Sequence, residues 1–209
     1  MHVLSNLPAL LLLFGAACAS NSAVNEEPQA PAFTPEMEAE MMALGQPGPE
    51  HKVLEHFAGE WDVTVRVWMA PDTPPVVSAA HTTSELVLGG RFLQSHTRGE
   101  MEIMGQTISS ESIGMLGFDR RNEVFTTIGF DTTGTYYVAA SGTLDDSGKK
   151  ISMAGSDHDS KLNFTQEYRF EVSLVEDDHY TVDVIFTSPA MTHGLDEFRV
   201  VQLSYARAR

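Results

Sequence analysis

Few residues of this sequence have the types and spacing that covalent catalysis requires. Cys18 is the only cysteine, and it follows a run of small residues near the N-terminus. The Gly-x-Ser-x-Gly turn that presents a serine nucleophile is absent. Ser109, Ser110 and Ser112 flank Glu111, in a run that we expect to be a strand. The sequence therefore predicts no catalytic nucleophile.

The spacing of histidines and acids also argues against a metal site. His51 and His56 are five residues apart, so on a helix their side chains point in different directions. Asp157, His158 and Asp159 are consecutive, and adjacent side chains seldom converge on one ion. We interpret these three residues as a hairpin tip. The sequence predicts no metal site and no cofactor.

Three polar residues are left as loose candidates for acid–base chemistry. His81 and His96 fall on neighbouring predicted strands, and Glu111 lies in the next one. General acid–base catalysis requires at least two of these side chains to converge within hydrogen-bonding distance and to face the mouth of the domain. If they lie on outer faces, this enzyme hypothesis fails.

Composition and charge limit the partners of the protein. The chain has 209 residues, enough for one domain with short appendages, and 42% of them are hydrophobic. It carries 13 basic and 29 acidic residues, which gives a net charge of −16. A field of this sign repels phosphate backbones, so we expect no nucleic-acid partner. The sequence does not indicate which protein partners it has.

The N-terminal segment has the layout of an export signal. Residues 7–14 are almost wholly apolar, and small residues precede Cys18. This arrangement resembles the box at which bacterial lipoproteins are cleaved and lipidated on cysteine. Alternatively, Cys18 is an ordinary residue of a discarded signal peptide. We expect residues 1–18 to be the signal, and the protein to be periplasmic or anchored to the membrane through Cys18 alone.

The next segment reads as a linker that leads into the folded domain. Residues 19–48 contain prolines, scattered acids and few large apolar residues. A short helix is predicted there, capped by Thr34, begun by Pro35 and stopped by Gly45. A second helix is predicted from Pro49 to Phe57, and Gly59 should end it. The main domain is expected to span residues 49–209.

After Gly59 the hydrophobic period changes from helical to two. Trp61, Val63, Val65 and Val67 alternate with polar residues, as do the runs 167–174 and 180–186. Turn signals separate such runs about every 8–15 residues, and no helical stretch interrupts them. The pattern predicts an all-β antiparallel meander of about 8–10 strands. We expect it to close into a barrel, because closure removes the two exposed edges.

The apolar residues on the dry faces of the strands are the candidates for a binding site. A barrel of this size is either filled by side chains or holds one small ligand, and the sequence leaves both open. If the barrel is hollow, nine residues would line it: Val63, Val65, Val67, Tyr168, Phe170, Val172, Val182, Val184 and Phe186.

Gly59-Glu60-Trp61, after a short helix and before a β-meander, resembles the opening of the calycin superfamily, which includes lipocalins and fatty-acid-binding proteins. The resemblance implies that Trp61 packs at the closed end of a barrel. It also implies that a basic residue of the last strand lies across the tryptophan, and Arg207 is the candidate.

Several motifs in order resemble the bacterial domain of unknown function 1579, from about Gly59 to Arg207. They are Leu88-Gly-Gly-Arg-Phe-Leu93, Gly99-Glu-Met101, Met104-Gly-Gln106, Gly114-Met-Leu-Gly-Phe-Asp119 and Ser204-Tyr-Ala-Arg207. Glu102 and Ile103 are two residues more than that family's usual Gly-Glu-Met-Met-Gly run. The resemblance supports a calycin-like barrel and implies no established activity.

Three functions follow, in order of preference. The first is a cell-envelope protein that binds a small apolar ligand inside the barrel. The second is a structural or interaction lipoprotein whose barrel is filled. The third is the enzyme with polar groups at the barrel mouth.

Overall fold

The structure is a computed structural model that describes residues 33–103 and 106–209. Ten antiparallel strands form a closed barrel, in the order β1-β10-β9-β8-β7-β6-β5-β4-β3-β2. This confirms the predicted fold class. The strands are β1 Gly59–Val67, β2 Val76–Val87, β3 Phe92–Ile103, β4 Gln106–Asp119, β5 Val124–Asp131, β6 Tyr137–Leu144, β7 Lys150–Asp159, β8 Phe164–Glu176, β9 His179–Phe186 and β10 Phe198–Arg207.

Consecutive strands pair as hairpins, and the first strand closes the barrel against the last. Trp61 lies opposite Arg207 in this closing pair, and Val67 lies opposite Val201. The turns follow their local chemistry. In the β6–β7 turn, the Asp145 carboxylate accepts the backbone N–H groups of Lys149 and Lys150, each at 3.1 Å. The meander thus closes without a crossover, as the spacing of turn signals indicates.

Two helical segments precede the barrel. Helix α1, Pro35–Leu44, begins at Thr34, whose hydroxyl accepts the Met37 N–H at 3.3 Å, and no residue of the helix is buried. Arg120 donates to the carbonyl groups of Ala43 and Gln46, which ties the end of α1 to the barrel.

The second helical segment is shorter than predicted. It consists of a 3₁₀ turn, Pro49–His51, and helix α2, Lys52–Glu55. Its last bonds tighten, because His56 and Phe57 donate to carbonyls only three residues back. Gly59 does not stop this helix but begins β1, with a φ of 130° that favours glycine.

One end of the barrel is closed by a packed group of side chains, which we call the floor: Leu54, Phe57, Trp61, Tyr180 and Arg207. Leu54 and Trp61 are almost fully buried. The Trp61 indole donates to the Phe57 carbonyl at 2.9 Å, and its ring meets the Tyr180 ring edge-on at 4.7 Å. The helical segment is therefore the plug of the barrel.

Candidate functional site

Above the floor, the barrel contains a cavity of about 320 Å³. We call it the barrel cavity. Its wall is mostly apolar, and it extends to Phe130 and Asp131 at the end of β5, where Phe130 is 48% exposed. This volume lies at the lower end of the range for small-molecule sites. The interior of the barrel is therefore not filled by side chains.

The cavity exists because small residues occupy inward positions on β4 and β5. Gly114 and Gly129 are register partners, and both line the cavity. A Cβ atom added to Gly114 would come no closer than 4.0 Å to another atom, the Ile128 carbonyl oxygen. One added to Gly129 would meet Val138 at 3.5 Å. The interior beside these glycines is open space that no neighbouring side chain fills.

One wall of the barrel carries hydroxyl groups in place of apolar side chains. Thr82 on β2 bonds to Thr97 on β3, with 2.7 Å between the hydroxyl oxygens. Ser84 and Ser95 form the same pair one step nearer the floor, at 2.8 Å. In each pair, the two hydroxyl groups hydrogen-bond to each other. The wall is therefore polar, but part of its hydrogen-bonding capacity is already used within the protein.

The opposite wall is apolar and comes from β6 to β10. Its members contact one another in the core and face the cavity: Val138, Met153, Phe170, Val172, Val182 and Leu203. The cavity thus has two chemically different sides, and an occupant would meet both.

Tyr180 and Tyr205 lie where the cavity meets the floor. They are register partners on β9 and β10, and their rings stack with 4.1 Å between centroids and 9° between planes. Burial raises the pKa of both phenols well above the usual value. Both hydroxyl groups therefore stay protonated over the whole physiological pH range.

The structure brings three of the nine predicted ligand-binding residues to the cavity: Phe170, Val172 and Val182. Val63 and Tyr168 are buried in the core, and Val65 and Phe186 pack against it. Val67 and Val184 are half-buried members of β1 and β9. Ligand contact for the nine remains a prediction, and the cavity lies nearer to β3–β6 than to β1.

Sequence reasoning missed the part of the cavity wall contributed by β3, β4 and β5. All of these residues except Leu93 and Leu116 are small or polar, so a search for alternating large apolar side chains passes over most of this wall. The missed residues are Leu93, Ser95, Thr97, Ser112, Gly114, Leu116, Thr127, Gly129 and Asp131. The signal that could have revealed them is an alternation of Gly, Ser and Thr at inward positions, because such small residues leave part of the barrel interior unfilled.

At the floor, the Arg207 guanidinium lies over the Trp61 ring, with 4.3 Å from its central carbon to the ring centroid. The same guanidinium donates to the Ala58 carbonyl at 3.2 Å. It also approaches the Asp177 carbonyl at 3.5 Å. Arg207 thus links the last strand to the plug and covers the indole from outside.

The polar residues of the enzyme hypothesis converge on the outer face of the barrel. His96 and Arg98 on β3 both bond to Glu111 on β4. Their neighbour Thr97 faces inward, so the alternation of the strand turns His96 and Arg98 outward. The hydrogen bond from His96 lowers the pKa of Glu111, and the Arg98 side chain adds to this shift.

His81 belongs to a separate outer-face cluster. Its Nε2 lies 2.7 Å from a Glu60 oxygen, and its Nδ1 lies 3.3 Å from an Asp62 oxygen. Its side chain is half exposed. Because these histidines and Glu111 lie on the outer face and do not line the cavity, the condition set for the enzyme hypothesis is not met.

The clusters considered as metal sites have ordinary structural roles. The His51 ring is buried and accepts the Gly48 N–H at 3.1 Å. His158 bonds to Thr165 across β7 and β8, while Asp159 accepts two N–H groups of the following turn. Within residues 33–103 and 106–209, no group of three or more His, Cys, Asp or Glu side chains could hold a metal ion.

Two findings concern the N-terminal expectations. Residues 1–18 and Cys18 lie outside the described residues, so the predicted signal and lipidation site have no structural account here. In the part of the chain that the structure describes, no helix has the length and apolar character needed to cross a membrane.

The sequence matches one protein family over most of its length. The family is described as protein of unknown function (DUF1579), and the match covers residues 46–207. No functionally curated protein matches the sequence.

Two solved structures match this chain. The crystal structure of Rv2717c from M. tuberculosis superposes with a TM-score of 0.52 at 13% sequence identity, and the match covers 78% of this chain and 100% of that one. At this identity the similarity shows the fold alone. A redesigned β-barrel matches with a TM-score of 0.37 at 11% identity, covering 75% of this chain and 96% of that one.

Proposed function

Because this chain belongs to DUF1579, a family of unknown function, we propose its function from the barrel itself: it binds a small, mostly apolar ligand in the barrel cavity. The observation that carries the proposal is an unfilled interior of about 320 Å³ with a largely apolar wall. Protein cores are close-packed, so a void of this size costs stability unless it serves an occupant.

The inward glycines strengthen the proposal. An alanine or a larger side chain at Gly114 would fit its backbone and extend into empty space. Filling the cavity would therefore stabilise the barrel, and a barrel whose function needs only a solid core gains nothing from glycine at this position.

The test is displacement of a neutral fluorescent probe, N-phenyl-1-naphthylamine, from the purified protein. The wild type should bind one probe saturably, and Gly114→Leu should weaken binding about tenfold or more, because the leucine occupies the cavity. Ser109→Leu is the matched control, since it adds the same side chain to an exposed position on β4. It should bind like the wild type.

Native mass spectrometry of the protein as purified gives an independent reading. A co-purifying small molecule that is lost in Gly114→Leu would support the proposal. If the wild type binds no probe and carries no small molecule, the ligand-binding function is excluded.

A second candidate is interaction with another protein through the outer face of β4, β5 and β6. Ile113, Phe130 and Tyr137 are neighbours in register, and each is more than 40% exposed. Contiguous exposed apolar side chains of this kind favour contact surfaces. Capture of a partner from envelope fractions by the wild type, but not by Tyr137→Asp, which changes a residue outside the cavity wall, would support this alternative.

We also propose that the protein acts in the cell envelope, anchored through lipid on Cys18. The support is the sequence layout of residues 7–18. In Cys18→Ser, the precursor should stay uncleaved and without lipid, as judged by its intact mass. Normal maturation of that variant would point to ordinary signal cleavage and a soluble product.

A further inference from the structure

Tyr180 and Tyr205 line the deep end of the barrel cavity, and each carries a hydroxyl group there. The two residues are 5% and 7% exposed, and both line the cavity. Among the residues that the structure describes, neither hydroxyl donates or accepts a hydrogen bond. A buried hydroxyl without a partner costs about 1–3 kcal/mol, so such groups normally find one.

Tyr168 shows what a structural tyrosine does in this barrel. Its hydroxyl donates to the Ala139 carbonyl at 3.1 Å and accepts the Ala139 N–H at 3.2 Å. Within the described residues, every fully enclosed side-chain nitrogen or oxygen has a partner. The hydroxyls of Tyr180 and Tyr205 are therefore not fully enclosed, and both residues line the cavity.

The charges around the cavity indicate what could reach these hydroxyls. Of the described residues, no Lys, Arg or His lines the cavity, and its one carboxylate belongs to Asp131. The Arg207 charge reaches Tyr180, but its guanidinium already donates to the Ala58 carbonyl, covers Trp61 and does not line the cavity. A ligand carboxylate would be buried without a cation on the cavity wall to pair with it, in a protein of net charge −16, which is unfavourable.

Both phenols remain neutral donors, as described above, and a neutral donor favours an acceptor oxygen. The rest of an occupant would lie along the apolar wall of β6 to β10, where hydrogen-bonding groups would lose their water without gaining partners. The site thus has a pair of hydrogen-bond donors at its deep end and an apolar wall above them.

We propose that the ligand is uncharged, with an apolar body and one terminal oxygen acceptor of the ketone, quinone or ester carbonyl class, and that Tyr180 and Tyr205 donate to that oxygen. This inference rests on the proposed ligand-binding function and names its ligand class. It distinguishes the site from one that selects fatty acids, which would need a cation beside the donors.

The experiment compares three probes of equal carbon number, 2-decanone, decanoate at pH 8 and n-decane, by their ability to displace N-phenyl-1-naphthylamine from the purified full chain. We expect 2-decanone to bind about three- to tenfold more tightly than n-decane, the gain of one hydrogen bond. Decanoate should bind more weakly than either.

Tyr180→Phe and Tyr205→Phe should reduce the advantage of 2-decanone over n-decane, by threefold or more for at least one of them. The affinity for n-decane should change less than the affinity for 2-decanone in both. Tyr168→Phe is the matched control, because its hydroxyl is used by Ala139, and it should keep the advantage. Urea unfolding should show Tyr180→Phe and Tyr205→Phe to be as stable as the wild type, since they lose no protein hydrogen bond.

The outcomes separate this inference from the proposed function. If 2-decanone, decanoate and n-decane bind equally, or if both tyrosine variants keep the ketone advantage, the ligand class is wrong and apolar binding stands. If decanoate binds best, the site selects anions and the inference is overturned. If no probe binds, including the fluorescent one, both proposals fail.

Discussion

The floor and the cavity are built on the same ten strands with the same inward alternation, but they differ in what the inward positions carry. At the floor, the inward side chains are large, α2 adds Leu54 and the turn after it adds Phe57, so the space is filled. In the cavity, β4 and β5 contribute Gly114 and Gly129, and the space is left open. The period of a strand sets which residues face the interior, whereas their size decides whether that interior is solid.

The first prediction removes the centre of the floor. Trp61→Ala should lower the free energy of unfolding by about 3–5 kcal/mol, because it deletes a buried indole that contacts Tyr180 and bonds to Phe57. Urea unfolding followed by circular dichroism measures it. Trp68→Ala is the control: that indole is only partly buried and has Arg199 at 5.6 Å from its ring, so the loss should be clearly smaller.

If the loss for Trp61→Ala were below about 1 kcal/mol, the floor would not be a packed core. The contrast with the cavity would then lose its physical basis, whatever the behaviour of Trp68→Ala.

The second prediction compares two inward glycines by the same substitution. In Gly142→Ala the new methyl group would overlap the Ser152 carbonyl and approach the Met153 Cα at 2.7 Å, so backbone must move. We expect a loss of about 1–3 kcal/mol. In Gly114→Ala the methyl group enters open space, and we expect no loss or a gain of about 0.4–1 kcal/mol.

Thermal and urea unfolding of the two alanine variants, side by side, measure this difference. Equal losses would mean that the cavity is as tightly packed as the strand pair β6–β7, and the hollow interior would be contradicted.

The sequence predicts the barrel and its large inward side chains better than it predicts the open cavity. The alternation of Trp61, Val63 and Val65 and the turn signals sufficed for the barrel, because a strand's period depends on its own residues. Phe170, Val172 and Val182 were found for the same reason. The wall around Gly114 and Gly129 was not, because the space beside a glycine depends on strands far away in the sequence.

The third prediction concerns the His81 cluster on the outer face of the barrel. Its side chains belong neither to the floor nor to the cavity wall, so substitutions there should change the stability least. The hydrogen bonds to Glu60 and Asp62 raise the pKa of His81, and the bond from His81 lowers the pKa of Glu60. The stabilisation from His81 is then fully present below its unfolded pKa of about 6.5, and it is lost as the pH rises through the higher folded value. The contribution of Glu60 is lost at the acid end, as the pH falls through its lowered pKa.

His81→Gln should therefore remove a small stabilisation below about pH 6.5, and this loss should shrink as the pH rises through the raised folded pKa of His81. Urea midpoints across this range, at low and at high salt, measure it, and salt should diminish the difference because the pair is exposed to solvent. A difference that grows as the pH rises, or that does not change with salt, would assign His81 a role other than this exposed ion pair. The outer face would then contribute to stability through an interaction other than exposed ion pairs.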